Sequence, residues 1–431
     1  MTGNYLTLLI ISASASILFE ASQASADAYQ SLANQRNMLP GGKAALLGGA
    51  FVAVASDSSA SFYNPAGLAL IKQDRFDMSA TSYANSEIVY HEAVNEDDFN
   101  ERSEVTYPSF FGATTRLGPL SVGYSYMTLD AHNIYQQDKY ADISTVPGAA
   151  NTYSRTYQER SAYIYGGGSV ALKVSDSLAI GTSLFYYQRN LEYSTHELVQ
   201  LNGGGIVAIN STMKTLNTGA AGVYGVLWKQ PKYSVGVSVR MAMALSDRSI
   251  MLSDTVDYDP DSPGVNDDGK PIPNIYSIQR KAKELNELNP TTYTLGTAFH
   301  PTSWFLLSAD VLVHEGTKSL YKDYGGADLK MTLNYSTGMM IRLGPIELLG
   351  GYFTNNSMYR APDSDLPGQP IHVDYVGQAA GLGFDFGGFQ GYLGGTRQVG
   401  HGEAQIRNND STIQKVDGAV TTYMIAGNLA L

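Results

Sequence analysis

The sequence contains no cysteine among its 431 residues, so thiol nucleophiles, thiolate metal sites and disulfide bonds are excluded. It also lacks any run of about 18 apolar residues after its N-terminal stretch, which argues against a membrane protein built of helices. Only 16% of residues are charged, and the formal net charge is −12. Without clustered Lys and Arg, the chain has no electrostatic footprint for a nucleic acid, and we expect none as a partner.

Recognisable catalytic and metal-binding motifs are missing as well. The seven histidines form no H-E-x-x-H motif and no pair four residues apart, and there is no G-x-S-x-G elbow. The acidic loop 253–276 matches the first three ligand positions of an EF-hand but lacks the turn glycine and the closing glutamate. A solvated loop is therefore favoured over a cation site there. We expect no enzymatic activity, no cofactor and no metal ion.

The N-terminus predicts export. Tyr5–Phe19 is a stretch of apolar and small residues, and Ala24-Ser25-Ala26 has the A-x-A form of a signal-peptidase site. The stretch is too short for a spanning helix. It departs from the usual pattern because no Lys or Arg precedes it and Glu20 follows it closely. The sequence predicts a signal peptide over residues 1–26, with Asp27 as the mature N-terminus.

From about Arg75 onward the hydrophobic pattern has a period of two. In Leu120–Tyr126, large apolar residues alternate with small ones, and the same pattern returns in 233–244, 305–313 and 423–431. One face is apolar and the other small or polar, as in strands with lipid outside and a polar or packed lumen inside. Abundant tyrosine (30) and glycine (44) suit a membrane interface and strands that bend or approach closely.

The pattern predicts an all-β fold, a transmembrane antiparallel barrel of about 14 strands over residues 73–431. Short turns alternate with long polar loops, predicted at 86–103, 130–155, 253–276 and 400–415. The predicted strands are 73–83, 104–116, 118–128, 157–174, 176–197, 210–229, 231–247, 277–299, 302–314, 329–343, 345–354, 372–386, 388–398 and 417–430. A lumen of this size is too wide for side chains alone to fill, so it is either an open pore or plugged.

Residues 27–72 do not alternate, and they are the candidate plug. They suggest short helical pieces separated by turns. Asn64 is a suitable N-cap, Pro65 suits the first position of a helix, and Ala66–Ile71 would form a short apolar helix. We therefore predict a partly helical hatch over 27–72 that folds into the barrel.

The segment Gly48–Ala69 resembles the N-terminal hatch of the FadL/TodX family of outer-membrane transporters for hydrophobic compounds. The resemblance rests on the Gly-Gly-Ala-Phe run at Gly48–Phe51, on Asp57, and on Asn-Pro-Ala-Gly-Leu at Asn64–Leu68. Only Asn64, Pro65 and Ala66 are carried over as hatch residues, and no ligand-contacting set is identified. The chain departs from the family in ending on Leu431 rather than on an aromatic residue.

The resemblance implies passive transport of long-chain fatty acids or other hydrophobic molecules across the outer membrane of a diderm bacterium. The implied partners are the hydrophobic cargo, outer-membrane lipid and lipopolysaccharide, and the barrel-assembly machinery. Two other functions remain open: a barrel of the same fold that serves a secretion or surface-assembly system, and a general porin with a loose plug.

Release of cargo past the hatch or sideways would need either a hatch rearrangement or a gap in the strand wall. Glycines are the positions where a kinked strand strains the backbone least. The candidate kink positions are Gly166, Gly167 and Gly168, followed by Gly123. The alternative interpretation is that these glycines only relieve packing in the lumen or accommodate the hatch.

Overall fold

The computed structural model describes residues 34–430 except 72, 95–96, 144–149, 202–203, 259–263, 266–270, 273, 284–288, 319–327, 366–368 and 406–411. The predicted signal peptide and the first residues of the predicted hatch, 27–33, lie outside the described residues. Within the part that is described, no helix is long and apolar enough to cross a membrane.

The described chain begins with short helices and continues as strands. The helices are α1 (Gly42–Leu46), α2 (Ala60–Tyr63) and a 3₁₀ helix (Pro65–Leu70). The strands are β1 (Arg75–Val94), β2 (Asp97–Leu117), β3 (Leu120–Ile143), β4 (Ala150–Lys173), β5 (Leu178–Leu201), β6 (Ile206–Lys229), β7 (Tyr233–Tyr258), β8 (Gly264–Val265), β9 (Pro271–Ile272), β10 (Asn274–Lys283), β11 (Thr292–Thr302), β12 (Phe305–His314), β13 (Thr332–Leu343), β14 (Ile346–Asn355), β15 (His372–Asp385), β16 (Phe389–Ala404) and β17 (Gln414–Ala430).

The strands close into an antiparallel barrel in chain order. Each long strand pairs with the next, and β17 pairs with β1 to complete the ring. Strands β10 and β11 pair with successive parts of the same side of β7, so together they take one position in the wall. The wall therefore has 14 strand positions, which confirms the predicted barrel. The hairpin of β8 and β9 lies outside this sheet.

The two faces of the wall differ as the period-two pattern predicts. On β5, Ile180, Leu184 and Tyr186 are exposed, while the alternating Phe185 and Tyr187 are buried. Farther along β5 the exposed positions become polar, with Asn190 and Glu192. The apolar outer band thus covers about ten residues next to the tight turns, which is the length that a tilted strand needs to cross a bilayer.

Three strands on one side of the barrel, β3, β4 and β7, are longer than the predicted 118–128, 157–174 and 231–247, whereas β5 and β6 are close to the predicted 176–197 and 210–229. Strands β3 to β7 have 24–26 residues, whereas β12 and β14 have 10. Much of the predicted loops 86–103, 130–155 and 400–415 is strand, and so are the described residues of 253–276, so this part of the prediction was wrong. Beyond the apolar band both faces of β3 and the start of β4 carry polar residues, so the alternation of apolar and polar residues is lost there although the ladder continues.

Candidate functional site

The helices of the hatch lie inside the barrel, buried against its inner wall. Their apolar residues form one cluster with inward residues of the wall, including Leu227, Leu306 and Met340. Phe51 and Leu68 are completely buried. The described part of the predicted hatch therefore fills the lumen at the level of the apolar band, and its core is shared with the barrel.

Asn64 holds the hatch together and also holds it to the wall. Its side-chain oxygen accepts a hydrogen bond from Ala66 N (3.2 Å), at the start of the 3₁₀ helix. Its amide nitrogen donates to Val52 O within the hatch (2.9 Å) and to Val226 O on β6 (3.0 Å). Pro65 takes the first helical position, where a missing N–H is not needed. The predicted helix at 66–71 is present as the 3₁₀ helix Pro65–Leu70, and a role of Asn64, Pro65 and Ala66 in transport stays a prediction.

Glycines of the wall make room for this plug. A Cβ atom added at Gly225 would lie 2.0 Å from Asn64 Oδ1, and one at Gly351 would lie 2.3 Å from Gly48 N. Similar close approaches to hatch atoms occur at several other inward glycines: Gly181, Gly236, Gly338 and Gly381. At these positions the absence of a side chain therefore lets the wall approach the hatch closely.

Polar side chains of the wall bind the backbone of the hatch. The Asp310 carboxylate accepts hydrogen bonds from Phe51 N (2.8 Å) and Val52 N (3.0 Å). Ser234 Oγ donates to Ala53 O (2.7 Å), and Ser308 Oγ donates to Ala50 O (2.8 Å). These contacts satisfy backbone groups that the irregular chain would otherwise leave buried without partners.

The segment before α1 is anchored to the strands next to β12. The Arg36 guanidinium donates to Gly48 O (2.9 Å), Ser336 Oγ (2.7 Å) and Thr354 O (3.1 Å). Burial lowers the pKa of Arg36 from 12.5 to about 10, and nearby Asp310 partly opposes this change. The side chain is thus still charged at neutral pH, and it links the hatch to β13 and β14.

The wall has a gap between β2 and β3. The two strands are paired at Phe110 and Met127 and again at Ser103 and Ile134, and the backbone ladder that joins the two strands is interrupted between these pairs, over residues 104–109 and 128–133. Each strand keeps its pairs on its other side over most of this length. The ladder is thus open for six residues on each strand.

Pro108 supplies a local reason for the gap. It has no N–H to donate to the ladder and lies in the middle of β2. Thr128 Oγ1 reaches across the seam to Pro108 O (2.9 Å) in place of a backbone bond, and β3 has a register shift between Thr128 and Asp130. A proline inside an alternating segment was the available sequence signal, and the glycine-based hypothesis missed it.

The glycines that the sequence suggested as kink positions lie in continuous ladder. Gly166, Gly167 and Gly168 are paired on both sides of β4, and Gly123 is paired with Ser169 on β4. A Cβ at Gly167 would lie 2.1 Å from Leu184 O of the neighbouring strand, whereas Gly123 faces Leu68 of the hatch. A kink at these glycines during transport stays a prediction, separate from the gap at Pro108.

A small cavity of about 30 Å³ lies in the lumen beside the gap and above the hatch. Phe62 of the hatch contributes to its lining, and Leu129 and Asp130 of β3 join it to the edge of the gap. Its other lining residues come from the N-terminal segment, from strands β4, β5 and β7, and from the chain before β11: Asn34, Gln35, Tyr163, Tyr165, Arg189, Arg240, Ala242, Asn289 and Pro290. Sequence reasoning identified none of these residues.

Replacing Asn64 by alanine tests whether the motif residue stabilises the hatch. Loss of the cap and of two further buried hydrogen bonds is expected to destabilise the hatch locally by about 1–2 kcal/mol or more. Hydrogen exchange of peptides from 64–71 should accelerate, with barrel peptides unchanged. The exposed Asn100→Ala is the matched control. Equal exchange in both variants would contradict a stabilising role for Asn64.

Comparison with known proteins shows which solved structures share this architecture. No family model matches the sequence, and no curated protein matches it. Solved structures do match. A Pseudomonas aeruginosa FadL homologue gives a TM-score of 0.59 at 11% identity, and the alignment covers 91% of this chain and 98% of that chain. The Pseudomonas putida toluene transporter TodX gives a TM-score of 0.58 at 12% identity, with 91% and 98% coverage. The Ralstonia pickettii toluene transporter TbuX gives 0.54 at 13%, with the same coverage. The chain therefore has the fold of the FadL and TodX proteins, as the segment Gly48–Ala69 predicted.

Proposed function

We propose that this protein is an outer-membrane transporter that takes up hydrophobic small molecules, such as fatty acids or aromatic compounds, by passive diffusion. The observation that carries the proposal is the gap between β2 and β3, which opens beside a lumenal cavity directly above a tightly packed hatch. The resemblance in fold to a FadL homologue and to toluene transporters agrees with it. The membrane lipid, lipopolysaccharide and the assembly machinery are the partners that this function requires.

The route that we propose leads sideways. The hatch blocks direct passage, because its backbone contacts wall glycines and wall side chains around the lumen. A hydrophobic molecule in the cavity would find lipid beyond the gap, and transfer of apolar surface from water to lipid is favourable. The gap is covered from inside by Tyr107, which packs against Ala131 and Met38. Movement of that side chain would open the route without displacing the hatch.

A disulfide across the gap tests lateral release. If the register of the flanking pairs continued, Thr106 would lie opposite Ala131, so Thr106→Cys with Ala131→Cys should join the strands on oxidation. The chain has no other cysteine. Uptake of labelled oleate and toluene by cells is expected to fall by about tenfold or more when the pair is oxidised, since a closed ladder leaves no opening into the hydrocarbon region. A reductant should restore it.

The control pair lies on the same two strands where the ladder is intact. Thr115 and Val122 are paired neighbours, so Thr115→Cys with Val122→Cys should oxidise without affecting uptake. Full uptake with the Thr106–Ala131 disulfide formed would exclude this exit and favour release past the hatch. If the unmodified protein moves neither compound, the role in a secretion or surface-assembly system becomes the better hypothesis.

A further inference from the structure

We propose that the lumenal cavity selects aromatic carboxylates over hydrocarbons and over long-chain fatty acids. The inference rests on the proposed transport function and names the class of compound that this cavity would accept. The cavity lining carries charged, aromatic and polar side chains, whereas a pure hydrocarbon would need only an apolar lining.

Arg240 provides the positive charge. It projects from β7 into the cavity lining, with its guanidinium 4.6 Å from the centroid of the Phe62 ring. Its Nη2 atom lies 3.4 Å from Thr292 Oγ1. None of the ion pairs that arginines form within the described residues includes Arg240. A partly buried guanidinium held only by a ring face and a hydroxyl favours an anionic ligand, since a carboxylate can accept two parallel hydrogen bonds from it.

The acidic residue of the lining does not cancel this charge. Asp130 is already engaged, because His132 Nε2 lies 3.0 Å from its carboxylate and Asn37 Nδ2 donates to it at 3.2 Å. A second guanidinium, Arg189, also lines the cavity and lies 5.0 Å from the centroid of the Tyr163 ring. The balance of charge facing the cavity therefore favours an anion.

The rings around the cavity fit a flat aromatic body. Tyr163 meets Tyr165 edge to face at 5.3 Å, and Tyr165 stacks with Tyr187 at 5.9 Å. Phe62 lies against Tyr165 at 6.4 Å, also edge to face. Aromatic pairs prefer these offset and edge-to-face arrangements, so a bound ring would extend an existing array.

Hydrogen-bonded polar groups form another part of the cavity lining. Asn289 donates from Nδ2 to the Tyr187 hydroxyl (2.9 Å) and accepts from the Tyr163 hydroxyl (2.7 Å), and Pro290 lies beside it in the lining. An alkyl chain too long for the cavity would have to pass between these groups and break their hydrogen bonds, which costs free energy when the groups stay buried. A short planar acid avoids that cost.

Entry requires one exchange of contacts, because the cavity of about 30 Å³ has room only for water-sized molecules. In the arrangement that we propose, Arg240 leaves the face of Phe62, the aromatic ring of the ligand takes its place, and the ligand carboxylate pairs with the displaced guanidinium. A cation–π contact is thereby replaced by a stronger charge-assisted hydrogen bond and a ring–ring contact.

Equilibrium binding of labelled compounds to the full protein in lipid nanodiscs tests this selectivity. The probes are benzoate, its neutral isostere benzamide, toluene and laurate. Benzoate should bind about tenfold or more tightly than each of the other three, as a bidentate charged pair requires. Arg240→Gln should abolish that advantage while leaving toluene binding within about twofold. Arg240→Lys should restore part of it, and the exposed Arg102→Gln should change nothing.

The outcomes separate this inference from the function beneath it. If toluene or laurate binds as tightly as benzoate, or if Arg240→Gln weakens all probes equally, the selectivity for aromatic acids is wrong while transport of hydrophobic compounds stands. If none of the four compounds binds saturably, both the selectivity and the proposed function are contradicted.

Discussion

Gly351→Val is expected to expel the hatch and turn the barrel into a leaky pore. A Cβ at this position would lie 2.3 Å from Gly48 N and 2.4 Å from Leu47 C, both backbone atoms of the hatch. Backbone cannot rotate away as a flexible side chain can, so the strain of about 1–3 kcal/mol or more typical of overpacking must be relieved by moving the plug. A barrel of this size has a lumen that side chains alone do not fill.

The expected readout is entry of a large hydrophilic antibiotic, such as vancomycin, that an intact plug excludes. Cells carrying Gly351→Val should admit it about tenfold faster or more, since the unplugged lumen of a 14-stranded barrel is wide. Gly350→Val is the control on the neighbouring residue. A side chain there would point away from the hatch, and a Cβ added at Gly350 meets nothing nearer than Ala379 O at 3.9 Å. Equal permeability of the two variants would show that the plug tolerates the added side chain.

Asp310→Ala is expected to loosen the hatch without emptying the lumen. The carboxylate is buried and accepts two backbone N–H groups of the hatch, from Phe51 and Val52. Truncation leaves both donors buried without an acceptor, at a cost of about 1–3 kcal/mol for each. Hydrogen exchange of peptides from 47–56 should therefore accelerate about a hundredfold, in keeping with a local opening that no longer has to break these bonds.

Two further variants complete this experiment, one with an expected intermediate exchange rate and one as a control. Asp310→Asn retains one acceptor oxygen and should fall between the wild type and Asp310→Ala. Asp176→Ala removes an exposed carboxylate that pairs with Lys173 in a tight turn, and exchange in the hatch should stay unchanged. Unaltered exchange of the hatch in Asp310→Ala would mean that the plug is held by shape alone.

Much of the barrel could be predicted because the membrane imposes a local rule. Every strand that crosses lipid must present alternate residues to it, so the apolar band of β5 or β12 is visible in the sequence as a period of two. The parts of β3 and β4 beyond the apolar band, within the predicted loop 130–155, have polar residues on both faces, and without that constraint their sequence resembles a loop. They are strands because they form backbone hydrogen bonds with the adjacent strands of the barrel. The hydrophobic pattern of a single segment does not show such bonds.

The hatch motif shows the same division. The Asn-Pro pair at Asn64 and Pro65 predicts a capped helix from local preferences, and the structure has one. The second role of Asn64, its bond to Val226 O, depends on a contact between residues 162 positions apart. Asp310 and Arg36 were not candidates, since an acidic residue in a strand and a basic residue in a polar segment carry no local sign of binding a plug.

The class of fold and the approximate number of strands therefore follow from the sequence alone, because both are expressed as a periodicity within a few residues. Where the wall opens and what faces the cavity depend instead on tertiary contacts. The gap at Pro108 depends on the registers of β2 and β3 against each other, and the cavity joins Phe62, Arg240 and Asn289 from distant segments. Contacts of this kind form only when the barrel closes around its hatch.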